Sequence, residues 1–314
     1  MRGFACLVAL LALAPASQAR VQGGSPVALV TDGGDRVVAV ALPSGRVLGR
    51  VSVPPGAGAV ASLGATSAVA SARSGAVTLL NGLRVTRIFR GFASPHVVAF
   101  APSGEWLYVT DDAGGTLSVI ELARSRIVAR LHIGGSAHSM AVDPSGNQLW
   151  VALGPAARSV AILDVGDPAH PRATGRLDPA GLVHDLAFSP DGRSVWVTYA
   201  DRAEVGVFYG PNHRLMRLIP TGEPPQRIAF EPFSAARHAF VTSRDGMLRI
   251  VSLRSRRVMR LIPVARGPFA LAVGGGLLAT LAGGTLTERT DEGRILLRTR
   301  VARPARGVAI AVLP

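Results

Sequence analysis

A segment that recurs every 42 to 46 residues constrains the fold of this chain more than any other feature. Four copies lie between residues 94 and 242, and each opens with a short apolar run and closes with a four-residue β-type signature. The runs are HVVAFAPSG (96–104), HSMAVDPSG (138–146), HDLAFSPDG (184–192) and QRIAFEP (226–232), and the signatures are LYVT (107–110), LWVA (149–152), VWVT (195–198) and AFVT (239–242). Such a repeat of short strands is typical of a β-propeller blade, a small sheet whose faces are buried only by its neighbours.

The blade count follows from further copies on either side of these four. Three strands near the N-terminus (27–32, 36–42 and 46–53) lack an inner strand, whereas GVAIAVL (307–313) matches the inner run and then stops. Pairing the two ends removes the exposed edges that an open ring would leave. We therefore predict an all-β fold, a seven-bladed β-propeller of four-stranded antiparallel blades, closed by pairing the C-terminal strand with the N-terminal blade. The predicted blades are residues 26–54 with 307–313, 57–91, 95–133, 137–179, 183–221, 225–264 and 267–303.

Residues 1–19 have the pattern of a cleaved secretory signal peptide. A short positively charged start precedes an apolar run (5–14) and the small residues SQA (17–19), and the run is too short to span a bilayer. We expect residues 20–314 to form a single propeller domain, and the protein to be secreted or extracytoplasmic with no transmembrane segment in the mature chain. The one cysteine, Cys6, lies inside the signal, so cleavage would exclude disulfides, thiol catalysis and cysteine-bound metal.

The chain carries a net charge of +14, and every basic residue is arginine because the sequence contains no lysine. Such a charge fits an anionic partner, for example nucleic acid, a polysaccharide or membrane headgroups. A GC-rich genome that replaces lysine by arginine produces the same composition. The arginines are scattered, their tightest cluster (254–257) is brief, and 5% aromatic residues leave little on which bases can stack. We favour the compositional explanation and do not expect a nucleic-acid partner.

The segments LYVT (107–110) and TLSVIEL (116–122) resemble the YVTN-type, WD40-like β-propeller repeat. In that family an inner strand leads through S-P-D-G to Y-V-T-N and then to a strand ending in I-D. At the place of the family asparagine this chain has Asp111, Leu153 and Tyr199. The resemblance covers nearly the whole mature chain and implies the fold. Related propellers include surface proteins of unknown role, lactonase-like hydrolases and the propeller domains of haem d1 and quinone-linked oxidoreductases, so the function stays open.

One position of the repeat, three residues before the anchoring alanine of each inner strand, is predicted to lie at the mouth of the central channel. We call it the mouth position, and around the ring it is occupied by Arg306, Gly58, His96, His138, His184, Gln226 and Phe269. Three histidines on successive blades place imidazole nitrogens where they can share a zinc or copper ion. Five polar residues in loops on the same side are expected to add oxygen ligands or hydrogen-bond acceptors; they are Asp32, Asp111, Asp112, Tyr199 and Asp201.

Two other interpretations of the mouth remain open at this point. The histidines can simply hydrogen-bond neighbouring loops, and duplication of one ancestral blade would copy them without any metal. Alternatively, Arg227 and Arg306 near the same mouth favour an anion pocket. The predicted ligand-binding residues are Arg306, Gln226, Arg227, Asp111 and Tyr199, and the predicted metal ligands are His96, His138 and His184.

The sequence thus predicts a secreted, non-enzymatic propeller that binds a ligand or a partner protein through its channel-mouth face. The alternative is a metal-dependent or redox-associated enzyme, lactonase-like or linked to an oxidoreductase, that uses the histidines at the channel. Neither a P-loop nor an H-E-x-x-H motif is present, and no catalytic residue is assigned. A divalent metal is the one cofactor that the pattern suggests. The ligand or partner protein is not identified, and we expect a monomer.

Overall fold

The computed structural model describes residues 24–154, 158–231, 236–265, 270–274, 276–301 and 304–313. The predicted signal peptide and Phe269 lie outside these residues. Within them, regular structure consists of 28 β-strands and one short 3-10 helix, η1 (Ala72–Ser74). In this part of the chain no helix combines the length and the apolar character that a bilayer span requires.

The strands form seven four-stranded antiparallel sheets, the blades. Blade 1 contains β1 (Ser25–Thr31), β2 (Arg36–Ala41), β3 (Val47–Ser52) and the last strand of the chain, β28 (Gly307–Leu313). Blade 2 contains β4 (Ala57–Leu63), β5 (Thr66–Ser71), β6 (Ala76–Asn81) and β7 (Arg84–Arg90). Blade 3 contains β8 (Pro95–Phe100), β9 (Trp106–Asp111), β10 (Thr116–Glu121) and β11 (Arg126–His132).

The other four blades follow in chain order. Blade 4 contains β12 (Ala137–Val142), β13 (Gln148–Leu153), β14 (Val160–Asp164) and β15 (Arg172–Leu177), and blade 5 contains β16 (Val183–Phe188), β17 (Ser194–Tyr199), β18 (Glu204–Tyr209) and β19 (Leu215–Pro220). Blade 6 contains β20 (Pro225–Phe230), β21 (His238–Ser243), β22 (Met247–Ser252) and β23 (Val258–Pro263), and blade 7 contains β24 (Ala270–Gly274), β25 (Leu277–Ala282), β26 (Thr285–Thr290) and β27 (Ile295–Arg300). The predicted seven-bladed propeller is confirmed.

The last strand closes the ring. β28 pairs antiparallel with β1 over seven residues, from Ser25 opposite Leu313 to Thr31 opposite Gly307, and lies at the inner edge of blade 1. A glycine is needed at the start of β28, because a Cβ built on Gly307 would collide with the carbonyl oxygen of Gly58 in the next blade. The predicted pairing of the two chain ends is confirmed.

The hydrophobic core is divided among the seven interfaces between adjacent blades. Each interface holds one cluster of buried apolar side chains contributed by both neighbours. Trp150 lies between blades 4 and 5 and meets Phe188 edge to face, with ring centroids 5.9 Å apart. Trp196 lies between blades 5 and 6 and meets Phe230 in the same way at 5.5 Å. Because burial of apolar area is the main stabilising contribution, each blade depends on both of its neighbours.

Arginine side chains tie four blades to the blade before them. Their guanidinium groups donate to backbone carbonyl oxygens at the end of the preceding outer strand: Arg130 to Gly91 (2.8 Å), Arg176 to Ile133 (2.9 Å), Arg249 to Thr221 (2.6 Å) and Arg289 to Pro263 (3.0 Å). Arg249 and Arg289 are buried, where an unpaired guanidinium would be costly. Some of the many arginines therefore stabilise the contacts between blades and need not be explained by a binding partner.

A β-bulge at the start of the inner strand sets the direction of several mouth positions. In blade 4, Ala137 pairs with Leu153 and Ser139 pairs with Ala152, which leaves His138 as an extra residue. Corresponding shifts in register occur at the mouth positions of blades 2, 3, 5 and 6. The extra residue in a bulge is not paired with the neighbouring strand, so its side chain points in a different direction from those of the regularly paired residues.

Threonine hydroxyls at the end of the second strand hold four inner strands in place. Each hydroxyl accepts the backbone N–H of the residue after the mouth position: Thr31 from Gly307 (2.9 Å), Thr110 from Val97 (3.0 Å), Thr198 from Asp185 (3.0 Å) and Thr242 from Arg227 (3.2 Å). These side chains supply the acceptor that backbone N–H groups need when they leave the ladder. The threonine that ends the signature therefore helps to orient the residue at the mouth position.

Candidate metal and ligand site at the channel mouth

Two histidines and one aspartate meet at the start of the inner strands of blades 3 and 4. We call His96, Asp112 and His138 the mouth cluster. Their ligand atoms all lie within 4.8 Å of one another, and all three residues are half-buried. The rings of His96 and His138 stack, with centroids 4.4 Å apart and planes at 27°. Two imidazoles and a carboxylate are ligands that zinc accepts, at about 2.0–2.2 Å from each donor atom.

The imidazoles of the mouth cluster are neutral at physiological pH. The pKa of His96 is lowered to about 4, mainly by burial and then by the neighbouring His138, while Asp112 acts in the opposite direction. Burial likewise lowers the pKa of His138. A neutral imidazole offers a lone pair to a metal and an imidazolium does not. Both rings are therefore in the ligating form without first losing a proton.

Hydrogen bonding around the mouth cluster leaves one nitrogen unsatisfied. Ser136, which lies just before β12, donates its hydroxyl to Asp112 Oδ1 at 2.5 Å and so orients the carboxylate. Nδ1 of His138 is buried and has no hydrogen-bond partner among the described residues. Buried polar atoms are normally paired, and coordination of an ion would satisfy this nitrogen. The residues present fit a transition metal.

His184 lies beside the mouth cluster without joining its group of close ligand atoms. Its ring centroid is 6.5 Å from that of His138, and the two planes are nearly perpendicular at 82°. Its Nδ1 lies 2.9 Å from the carbonyl oxygen of Gln226. Because a carbonyl only accepts, Nδ1 donates, and the lone pair of the neutral ring is on Nε2. Burial, followed by the charge of Arg227, lowers the pKa of His184.

Asp185 joins the inner strands of three blades at this mouth. Its carboxylate accepts from Ser139 Oγ at 2.8 Å and from the backbone N–H of Ile228 at 3.2 Å, and the guanidinium of Arg227 lies 3.7 Å away. A carboxylate shared by blades 4, 5 and 6 helps to fix the spacing of the strands that carry His138 and His184. Asp185 has no distinguishing feature in the sequence other than its position directly after His184.

Three of the five predicted loop ligands serve the loops themselves. The carboxylate of Asp111 accepts three backbone N–H groups at 2.6 to 3.1 Å. Asp32 accepts two backbone N–H groups and Asp201 accepts one. Asp112, by contrast, joins the histidines. The structure therefore places Asp111 in loop support, because its oxygens are already occupied by the backbone.

Tyr199 likewise supports a loop instead of facing a ligand. It is fully buried, and its hydroxyl donates to the carbonyl oxygen of Pro179 at 2.9 Å. Burial raises the pKa of the Tyr199 phenol to about 12. Gln226 contributes its backbone carbonyl, which accepts from Thr198 as well as from His184. The expectation that Tyr199 contacts a ligand conflicts with this burial, since its one polar group is already paired inside the blade.

A cavity of about 630 Å³ adjoins the mouth cluster and shares His96 with it. We call it the mouth cavity. Among the described residues, Arg73, Arg227 and Arg306 line it together with a single carboxylate, that of Asp185, and the rest of its wall is largely small and aliphatic. Arg227 and Arg306 therefore line the same cavity. Arg73, which lies in η1, was not among the predicted site residues. A larger groove of about 940 Å³ between blades 5 and 6 contains none of the predicted site residues.

The fold is similar to those of several solved structures. A functionally unknown protein from Desulfotomaculum acetoxidans DSM 771 superimposes with a TM-score of 0.81 and 14% identity over 92% of this chain and 99% of its own. Apo AztD from Citrobacter koseri gives 0.73 and 11% over 93% and 99%, and Kuenenia stuttgartiensis hydrazine synthase gives 0.69 and 16% over 82% and 89%. No family model and no curated protein matches the chain.

The seven sheets define the class of the protein as a seven-bladed β-propeller, and the three solved structures are similar to it in fold. Because the identities are below 25%, the likeness extends to the fold alone, and one propeller fold carries many unrelated functions. The resemblance to the YVTN-type repeat therefore continues to rest on the motifs at 107–110 and 116–122.

Proposed function

We propose that the protein is a metal-binding scaffold whose channel mouth takes one divalent transition-metal ion of the zinc class. His96 and His138 would each supply an imidazole nitrogen, and Asp112 would supply a carboxylate oxygen. The observation that carries the proposal is the meeting of these three ligand atoms within 4.8 Å.

The donor chemistry supports a transition metal over the other common divalent cations. Calcium and magnesium prefer sites made of oxygen atoms, whereas two of the three donors here are imidazole nitrogens. Imidazole suits zinc, copper, iron and nickel. The low pKa of His96, about 4, supports binding at neutral pH because no proton has to be displaced from that ring.

Zinc titration of purified, chelator-treated protein tests the proposal. We expect one zinc ion per chain by calorimetry, and a loss of affinity of at least about tenfold in His138→Ala because a ligand is removed. His170→Ala is the matched control, since His170 is exposed and pairs with Asp167 at 2.8 Å; it should bind zinc as the wild type does. Absence of saturable zinc binding, or equal affinity in His138→Ala, would contradict the proposal.

A metal-dependent enzyme is the second candidate, and the number of ligands favours it. The mouth cluster offers three protein donors among the described residues, and catalytic zinc sites characteristically combine three protein ligands with one free position. The zinc-loaded protein can be assayed with lactones and activated esters. Turnover that disappears in His138→Ala would favour the enzyme, whereas intact zinc binding without turnover would favour the scaffold.

A further inference from the structure

We propose that the mouth cavity binds a small organic acid, with the carboxylate held by Arg306, Arg227 and Arg73 and the apolar body lying against the aliphatic wall. The site is separate from the proposed metal centre in its chemistry, because none of the three arginines is a metal ligand. It is therefore tested in metal-free protein, and its failure would leave the zinc proposal unaffected.

The first argument is the uncompensated positive charge of the cavity. Among the described residues, three arginines and one carboxylate, that of Asp185, line the cavity. This carboxylate already accepts hydrogen bonds from Ser139 and Ile228 and lies 3.7 Å from Arg227. Within the described chain the guanidinium groups of Arg73 and Arg306 have no hydrogen-bond or ion-pair partner. Arginine binds carboxylates through two parallel N–H donors. Both side chains are exposed to solvent, so water solvates them in the free protein, and a bound carboxylate would replace that water with paired N–H donors.

The second argument is a missing side chain. The other five mouth positions in the described chain carry arginine, histidine or glutamine, whereas blade 2 has Gly58. A Cβ built on Gly58 has no atom nearer than 3.9 Å, and the φ angle of this residue is outside the left-handed region. Neither space nor backbone geometry therefore requires glycine. Its effect is to leave a hollow where neighbouring blades project a side chain, and Gly58 lines the mouth cavity.

The third argument concerns size and polarity. At about 630 Å³ the cavity falls within the range of small-molecule sites, about 300–1,000 Å³, and is far larger than an inorganic anion needs. Its wall includes Val60, Ile228, Leu271 and Val308, which favour an apolar ligand surface. These features together indicate an organic acid in preference to free phosphate.

The experiment is a titration of chelator-treated protein with benzoate, octanoate and succinate, and with inorganic phosphate and neutral benzamide for comparison. We expect saturable calorimetric binding of at least one carboxylate, with phosphate and benzamide weaker by at least about tenfold. Arg306→Gln should weaken the carboxylate by about tenfold as well. Gly58→Leu should abolish binding by filling the hollow, while Arg254→Gln, a change at an exposed arginine of blade 6, should have no effect.

Circular dichroism and thermal midpoints of the variants separate a lost site from a lost fold. The proposal is overturned if none of the three carboxylates binds up to about 10 mM, if folded Gly58→Leu binds them as the wild type does, or if phosphate binds equally well. Equal affinity for benzamide would likewise overturn it, because the arginines would then have no role. Arg227→Gln serves as a second variant, with an expected loss similar to that of Arg306→Gln.

Discussion

Protons compete with metal for His96 and His138, so the pKa values of these two rings decide the pH range of the mouth cluster. An ordinary histidine, with a pKa of about 6.5, becomes protonated just below neutrality and then repels a cation. Burial and the stacked neighbour lower the pKa of His96 to about 4. The neutral, ligating form therefore persists to more acidic pH than it would in an exposed histidine.

We expect zinc affinity to persist to lower pH than it would at a site of exposed histidines, and to be lost as the pH approaches 4, where His96 takes up a proton. Arg227 lowers the pKa of both cluster histidines, so Arg227→Gln should move this fall to higher pH. Competition with a zinc-sensitive dye at a series of pH values provides the measurement. A steady loss of affinity that begins near pH 7 in the wild type would show that the imidazoles are not shielded.

Two adjacent aspartates show what the sequence could and could not predict about single residues. Asp111 and Asp112 both follow the signature LYVT, and both were reasonable oxygen ligands. Asp111 binds three backbone N–H groups, whereas Asp112 joins the histidines. Which of two neighbouring loop side chains turns toward the backbone depends on the loop's dihedral angles, and these cannot be read from residue types. The position of the histidines was predictable because the repeat fixes their register.

At the level of the strand, the site depends on the bulges that interrupt the inner ladders of blades 2 to 6. The alternation of side chains along a strand predicts that neighbours such as His184 and Asp185 point to opposite faces. The register shift at His184 departs from that rule, and it is invisible in the apolar pattern. The threonine that completes the signature accepts the N–H beyond the mouth position in four blades. This role of the threonine follows from the hydrogen bonds and not from the sequence pattern.

Removing the hydroxyl of Thr110 should therefore affect both stability and zinc binding. Thr110→Val leaves the backbone N–H of Val97 without its acceptor, at an expected cost of about 1–3 kcal/mol in the free energy of unfolding. Because this bond orients the strand that carries His96, we expect zinc affinity to fall by about tenfold. Urea unfolding and zinc titration provide the two readouts.

Thr242→Val is the matched control, because it removes the equivalent bond to Arg227 in blade 6. It should cost a similar amount of stability and leave zinc affinity unchanged at pH 8, where both cluster histidines are neutral with or without the influence of Arg227. An equal effect of the two substitutions on zinc would mean that the bulges do not position ligands individually.

The whole molecule is a closed ring in which every blade is stabilised by two neighbours. The sequence predicted this architecture, including the pairing of β28 with β1, because repetition at a fixed period leaves few other ways to bury the blade faces. It did not predict the shape of the channel. Gly58 and Gly307 lie side by side where β4 meets β28 and both line the mouth cavity, although they are 249 positions apart in the chain. Contacts of this kind follow from the closure of the ring rather than from any local pattern.

Anomalous diffraction at the zinc absorption edge, from crystals of the zinc-loaded protein, tests the metal site most directly. A single strong peak is expected at the channel mouth, about 2.0–2.2 Å from donor atoms of His96, His138 and Asp112. A peak elsewhere in the molecule, or no peak from protein that binds zinc in solution, would contradict the assignment of these three residues.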